Sequence, residues 1–61
     1  MNKQEAEKII KILLKADGGC EYCSAALIRL FLKEFPEFEI LAERSFNKKF
    51  GMNLTSLKNG H

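Results

Sequence analysis

Residues 17–27 read DGGCEYCSAAL, and the place at which this stretch divides decides the fold. Glycine enters the left-handed backbone region without steric penalty, so Asp17-Gly18-Gly19 reads as a helix terminator. From Cys20 onward the chain is mostly small or apolar, with Glu21, Arg29, Lys33 and Glu34 its charged residues, and neither proline nor glycine interrupts it before Pro36. The stretch is therefore a junction between two helices, with both cysteines of the chain, Cys20 and Cys23, at the start of the second.

Upstream of the junction, Asn2 and Glu5 have the spacing of a capping box, which starts a helix over about residues 3–16. Ala6, Ile9, Ile10 and Leu13 recur at intervals of three and four and form one apolar stripe, with Lys3, Glu7, Lys8, Lys11 and Lys15 mainly opposite. Downstream, a second helix over about 19–34 is expected to turn Cys20, Cys23, Leu27, Leu30 and Phe31 inward, the stripe widened by Ala26, Ile28 and Leu32. Phe35 precedes Pro36, whose ring drives its predecessor out of helical geometry and ends that helix. Pro36 then suits the first turn of a third helix over about 36–50, because no amide hydrogen is needed there. Phe38, Leu41, Ala42, Phe46 and Phe50 lie at helical spacing, and Gly51 is the stop. The tail, 52–61, reads as a short turn near Asn53–Asn59 or a frayed end. The expected fold is all-α: one domain, 1–61, as a compact three-helix bundle with room for a short fourth helical turn. Its expected core is Ile9, Ile10, Leu13, Leu27, Leu30, Phe31, Leu41, Phe46 and Phe50.

A chain of 61 residues buries only about 60% of its unfolded surface, so its core must be economical and a partner subunit would help it. With 46% apolar residues and five Phe the composition is nonetheless that of a globular protein. No apolar run approaches the roughly eighteen residues of a membrane span, and the opening MNKQEAEKII lacks the apolar segment of a secretory signal. These features set the expected location as cytoplasmic, with no membrane partner. Formal charge is +2, but it is unevenly spread. Residues 1–43 carry six bases and eight acids, net −2, whereas 44–61 carry Arg44, Lys48, Lys49 and Lys58 with no acid, net +4. Acids at the start of the third helix and bases at its end complement the helix dipole, which accounts for much of the gradient.

The cysteine pair admits three roles. Aligned with Leu27 and Phe31, the thiols would pack as small hydrophobes. At a helix N-terminus, dipole and free amides stabilise a thiolate and make thiol chemistry reasonable. Two helical residues three apart have Cβ atoms about 5–6 Å apart, against roughly 3.5–4.5 Å for a disulfide, so bond closure would distort the first turn. The third role is a metal, for which zinc needs four ligands; only a dimer pooling two Cys20/Cys23 pairs reaches that number, and otherwise no cofactor is expected. His61, the chain's one histidine, reads as a solvated tail. Ser24, Ser45, Ser56 and Thr55 have no histidine near them in sequence, so no catalytic constellation appears.

The spacing CEYC resembles the CxxC of thioredoxin-type and glutaredoxin-type oxidoreductases, without their preceding strand or βαβ context. Residues EYCSAALIRLFLKEF, followed by EILAERSFNKKFGM, resemble a family of small helical redox-active bacterial proteins that share a Tyr-x-Cys-Ser/Ala helix start and a later Gly-Cys-Ala cluster. Here Tyr22 and Cys23 are adjacent and the later cysteines are absent, so the resemblance implies redox chemistry at Cys23 alone. Residues 40–58, ILAERSFNKKFGMNLTSLK, are similar to the helix-turn-helix segment beside phage HNH nucleases, though no nuclease domain accompanies them. That similarity implies phosphate contacts from Arg44, Lys48, Lys49 and Lys58, with an affinity that falls as salt rises.

The sparse catalytic residues favour a non-enzymatic binding or regulatory module that acts through a helical protein–protein surface and is oligomeric. A thiol redox switch or dimer-shared metal site at Cys20 and Cys23 is the first alternative. Nucleic-acid binding through the basic C-terminal third is the second.

Overall fold

The computed structural model describes residues 1–60, with side chains through Leu57, so the expectations placed on His61 and on the Lys58 side chain lie outside the described residues. The fold is all-α, a three-helix bundle measuring 29 × 20 × 17 Å. Helix α1 spans Lys3–Lys15. Its capping box is complete: Asn2 Oδ1 accepts from the Glu5 amide at 2.8 Å and Glu5 Oε1 accepts from the Asn2 amide at 3.0 Å. Helix α2 spans Glu21–Glu34 and helix α3 Glu39–Phe50. Pro36 does not open α3 directly. Residues Pro36–Phe38 make one 3-10 turn, and the α-helix begins at Glu39. Gly51 closes α3 in the left-handed conformation, its amide donating to the Asn47 carbonyl at 2.7 Å.

The α1–α2 junction is tighter than a single glycine stop. Asp17, Gly18 and Gly19 all have positive φ, at 52°, 76° and 81°. Three positive-φ residues in succession break the helical path between α1 and α2, which pack against each other. Two side chains then close the end of α1 from outside it. The buried Ser24 hydroxyl donates to the Leu14 carbonyl at 3.2 Å, and Lys49 Nζ, from the end of α3, donates to the same oxygen at 2.9 Å. A carbonyl that the helix leaves unpaired thus holds all three helices together.

The core differs from the expected one and is drawn from a different face of α2. Buried are Ala6, Ile10 and Leu14 of α1, Ala25 and Ile28 of α2, and Ala42 and Phe46 of α3. Leu13, Phe31, Leu41 and Phe50, expected inside the core, pack against this cluster while only half-buried. Ile9 and Leu27 are also half-buried, and Leu30 is 59% exposed, so it does not belong to the core. The inward stripe of α2 is Ser24, Ala25 and Ile28, turned by about one residue, or 100°, from the stripe that the apolar spacing suggested. The reason is compositional: from Tyr22 to Leu32 the only charge is Arg29, so spacing alone could not choose between two apolar faces. Small Ser24 and Ala25 let α2 approach α1 closely, and that contact sets the rotation.

The tail is part of the core. Residues Leu54–Gly60 form a 3-10 helix, and Leu54 and Leu57 are buried beneath it. Arg29 Nη2 donates to the Leu54 carbonyl at 3.3 Å, and Asn47 Nδ2 donates to Asn53 Oδ1 at 3.1 Å, fixing the segment to α2 and α3. Among the described residues no helix is long and apolar enough to cross a membrane.

Candidate functional site

Cys20 is not inside α2. Its backbone is extended, at φ −64° and ψ 131°, and it is the residue that flanks the first helical position, Glu21. Counting from it, Glu21, Tyr22 and Cys23 are the first, second and third residues of the helix. This placement matters because the side chain of a flanking residue curls back toward the amides of the second and third positions, where Ser, Thr, Asn or Asp would normally cap the helix. Cys20 sets a sulfur at that place, and the third position is Cys23. The two cysteines therefore stand at the cap and at the third position of the helix, rather than at two positions inside it.

Both cysteines are free and half-buried. As a neutral thiol Cys20 makes no formal cap hydrogen bond, consistent with sulfur being a weak acceptor; as a thiolate it is stabilised. Its pKa is lowered, first by the Cys23 amide, then by the Cys23 thiol acting as donor, then by the Tyr22 amide; these outweigh partial burial and the nearby Glu21 carboxylate, which act upward. Cys23 moves the opposite way. Its pKa is raised, chiefly because its proton is held by Cys20, with burial and the charges of Cys20 and Asp17 adding to the effect. One thiol is set to ionise first and the other to keep its proton, which is the division of labour that a nucleophile and a resolving thiol need.

On its solvent side α2 continues from this dithiol as an apolar stripe. Tyr22 is 46% exposed and Leu30 59%, Ala26 between them is exposed, and Cys23 and Leu27 are half-buried on the same side. The one charge in that span, on Arg29, is turned toward the Leu54 carbonyl. The sequence pattern had assigned Cys23, Leu27 and Leu30 to the interior; Cys23 and Leu27 are half-buried and Leu30 is exposed.

Among the described residues the basic candidates divide between two grooves. Arg44 and Lys48 are exposed on α3, but Arg44 lines a groove with Glu39 and Glu43. Lys49 uses its ammonium on the Leu14 carbonyl and stands 5.5 Å over the Phe50 ring. Lys11 joins Lys48 and Lys49 around a shallow groove with Leu14 and Ser45, an arrangement across α1 and α3 that no local pattern pairs. The segment that would follow as a recognition helix is 3-10 rather than α. For metals, no group of three or more His, Cys, Asp or Glu side chains converges among the described residues, so a thiolate site for zinc would need the cysteine pair of a second copy.

Sequence reasoning missed the structural role of two residues. Ser24 is a buried polar anchor of α2; a serine in an apolar run was the available signal. Lys49, expected as a phosphate contact, closes α1 from a distance of 35 residues, which no local pattern encodes. Compared with known proteins, the chain matches no family model, no curated protein and no solved structure.

Proposed function

We propose that this chain is a dithiol redox module, in which Cys20 is the attacking thiol and Cys23 the resolving one. The observation that carries the reading is positional: Cys20 occupies the capping position of α2 and Cys23 its third residue, and both cysteines are free and half-buried. Helix amides aimed at Cys20 favour its thiolate, and the thiolate is the species that exchanges with disulfides. The role fits a stoichiometric switch as well as a turnover catalyst, since one dithiol can accept one oxidising event.

A second reading, a helical interaction module that self-associates without thiol chemistry, draws support from the exposed outward face of α2. It needs no special placement of Cys20, whereas the redox reading does.

The test is equilibration of the protein with mixtures of reduced and oxidised glutathione, followed by acid quenching and intact-mass measurement. The redox reading expects a monomeric product lighter by two hydrogens, with both cysteines blocked to alkylation. Persistence of two free thiols across oxidising mixtures, or formation only of glutathione adducts that never resolve, would overturn it.

A further inference from the structure

The bases of this small surface are not equally placed. Arg44, Lys33, Lys3 and Lys8 each line a groove that also holds a glutamate. The groove between α1 and α3 differs: it is lined by Lys11, Leu14, Ser45, Lys48 and Lys49, so that three ammoniums and a hydroxyl meet with no carboxylate among them. We propose that this groove is an anion-binding site for the phosphodiester backbone of a nucleic acid. It shares no residue with the dithiol, and it goes beyond the redox reading without resting on it.

Helix design accounts for only part of this charge. Lys48 and Lys49 stand in the last turn of α3, and Lys15 holds that place in α1, where bases complement the helix dipole. Lys11 lies outside the last turn of α1, beyond the reach of that effect, yet it lines the same groove as the two lysines of α3. Like charges so gathered repel one another, and an anion bound among them relieves the repulsion.

Lys49 is also positioned in advance. Its ammonium donates to the Leu14 carbonyl at 2.9 Å and stands 5.5 Å over the Phe50 ring. Both partners are neutral, so its charge is not cancelled, and an ammonium has three donors, of which this bond uses one. Holding Lys49 in place leaves the ordering cost of binding to Lys11 and Lys48. Ser45, half-buried in the same groove, adds a hydroxyl donor.

Charge density selects the ligand. Exposed lysines hold a small anion weakly, because water and salt screen each pair. Duplex nucleic acid carries one negative charge per about 1.7 Å and a condensed layer of counterions, so each ammonium that meets a phosphate releases ions and gains entropy. With no aromatic or guanidinium group among its lining residues, the groove is suited to phosphates rather than to base edges, and binding is independent of sequence.

The experiment follows binding of the reduced protein to a short labelled DNA duplex by fluorescence anisotropy at several salt concentrations. Three contacts set the expected slope of log affinity against log salt at about −2.7, a loss of about fortyfold from about 50 to about 200 mM salt. Lys11→Gln with Lys48→Gln, which spares the tie made by Lys49, is expected to reduce that loss to about fourfold. Lys3→Gln with Lys33→Gln removes the same charge at exposed positions outside the groove and is expected to leave the slope unchanged. Lys11→Arg with Lys48→Arg keeps the charge and is expected to retain binding, and circular dichroism checks the helicity of every variant. No binding at low salt, or the same change of slope from both glutamine pairs, would overturn the proposal. Poly-glutamate that displaces the duplex at equal charge concentration, with the same dependence on Lys11 and Lys48, would assign the groove to an acidic polypeptide and also overturn it. None of these outcomes bears on thiol exchange at Cys20.

Discussion

At the scale of single residues, the turn that precedes the dithiol is the most constrained part of the chain. Gly18 and Gly19 sit at φ 76° and 81°, where an L side chain is strained by roughly 1–2 kcal/mol. Space is not the obstacle: a Cβ at Gly18 would meet nothing within 4 Å, and one at Gly19 would come 3.6 Å from Lys49 Nζ, an ordinary contact. Gly18→Ala and Gly19→Ala should therefore each cost about 1–2 kcal/mol from backbone strain alone, read as a lower urea midpoint. Asp17→Gly, at φ 52°, should cost nothing or stabilise slightly. A neutral Gly18→Ala would mean that the turn is not held left-handed.

At the scale of elements, the start of α2 is a helix cap built from a cysteine where an oxygen would serve the helix better. Thiols are weak acceptors, and serine ranks among the preferred residues at this position. Cys20→Ser should thus leave the thermal midpoint unchanged or raise it, while abolishing the intramolecular disulfide. A clear fall in midpoint would place Cys20 in the packing rather than at the cap. The same element explains how far the sequence could be read. Both ends of α1 and the C-terminal ends of α2 and α3 were legible because caps and breakers are local: Asn2 with Glu5, Asp17-Gly18-Gly19, Phe35-Pro36 and Gly51 each act within a turn, whereas α2 and α3 start at Glu21 and Glu39 rather than near 19 and 36. The rotation of α2 was not legible, since both its faces are apolar and the choice fell to Ser24, whose hydroxyl reaches the Leu14 carbonyl. For the same reason the cysteines could be placed at a helix start but not on the correct side of it.

At the scale of the molecule, a small core is supplemented from the chain's own end. Three of the buried apolar residues are alanines, and Leu54 and Leu57 from the 3-10 segment close the bundle, where the sequence suggested a short turn or a frayed end. Lysines divide between tasks: Lys49 joins α3 to the end of α1, whereas Lys48 remains exposed. This arrangement leaves the surface of α2 unneeded for the fold, with a dithiol at one end of it. The central claim is that Cys20 and Cys23 are unequal by construction, and pH-resolved alkylation measures this directly. Limited iodoacetamide labelling of the reduced protein, quenched and mapped by peptide mass spectrometry, gives each thiol's rate as a function of pH. Because the amide of Cys23 and its thiol hold the Cys20 pKa down, and the same hydrogen bond holds that of Cys23 up, Cys20 should form thiolate at lower pH and label first, its rate rising before that of Cys23. Equal profiles for the two, or Cys23 labelling at lower pH than Cys20, would contradict the account.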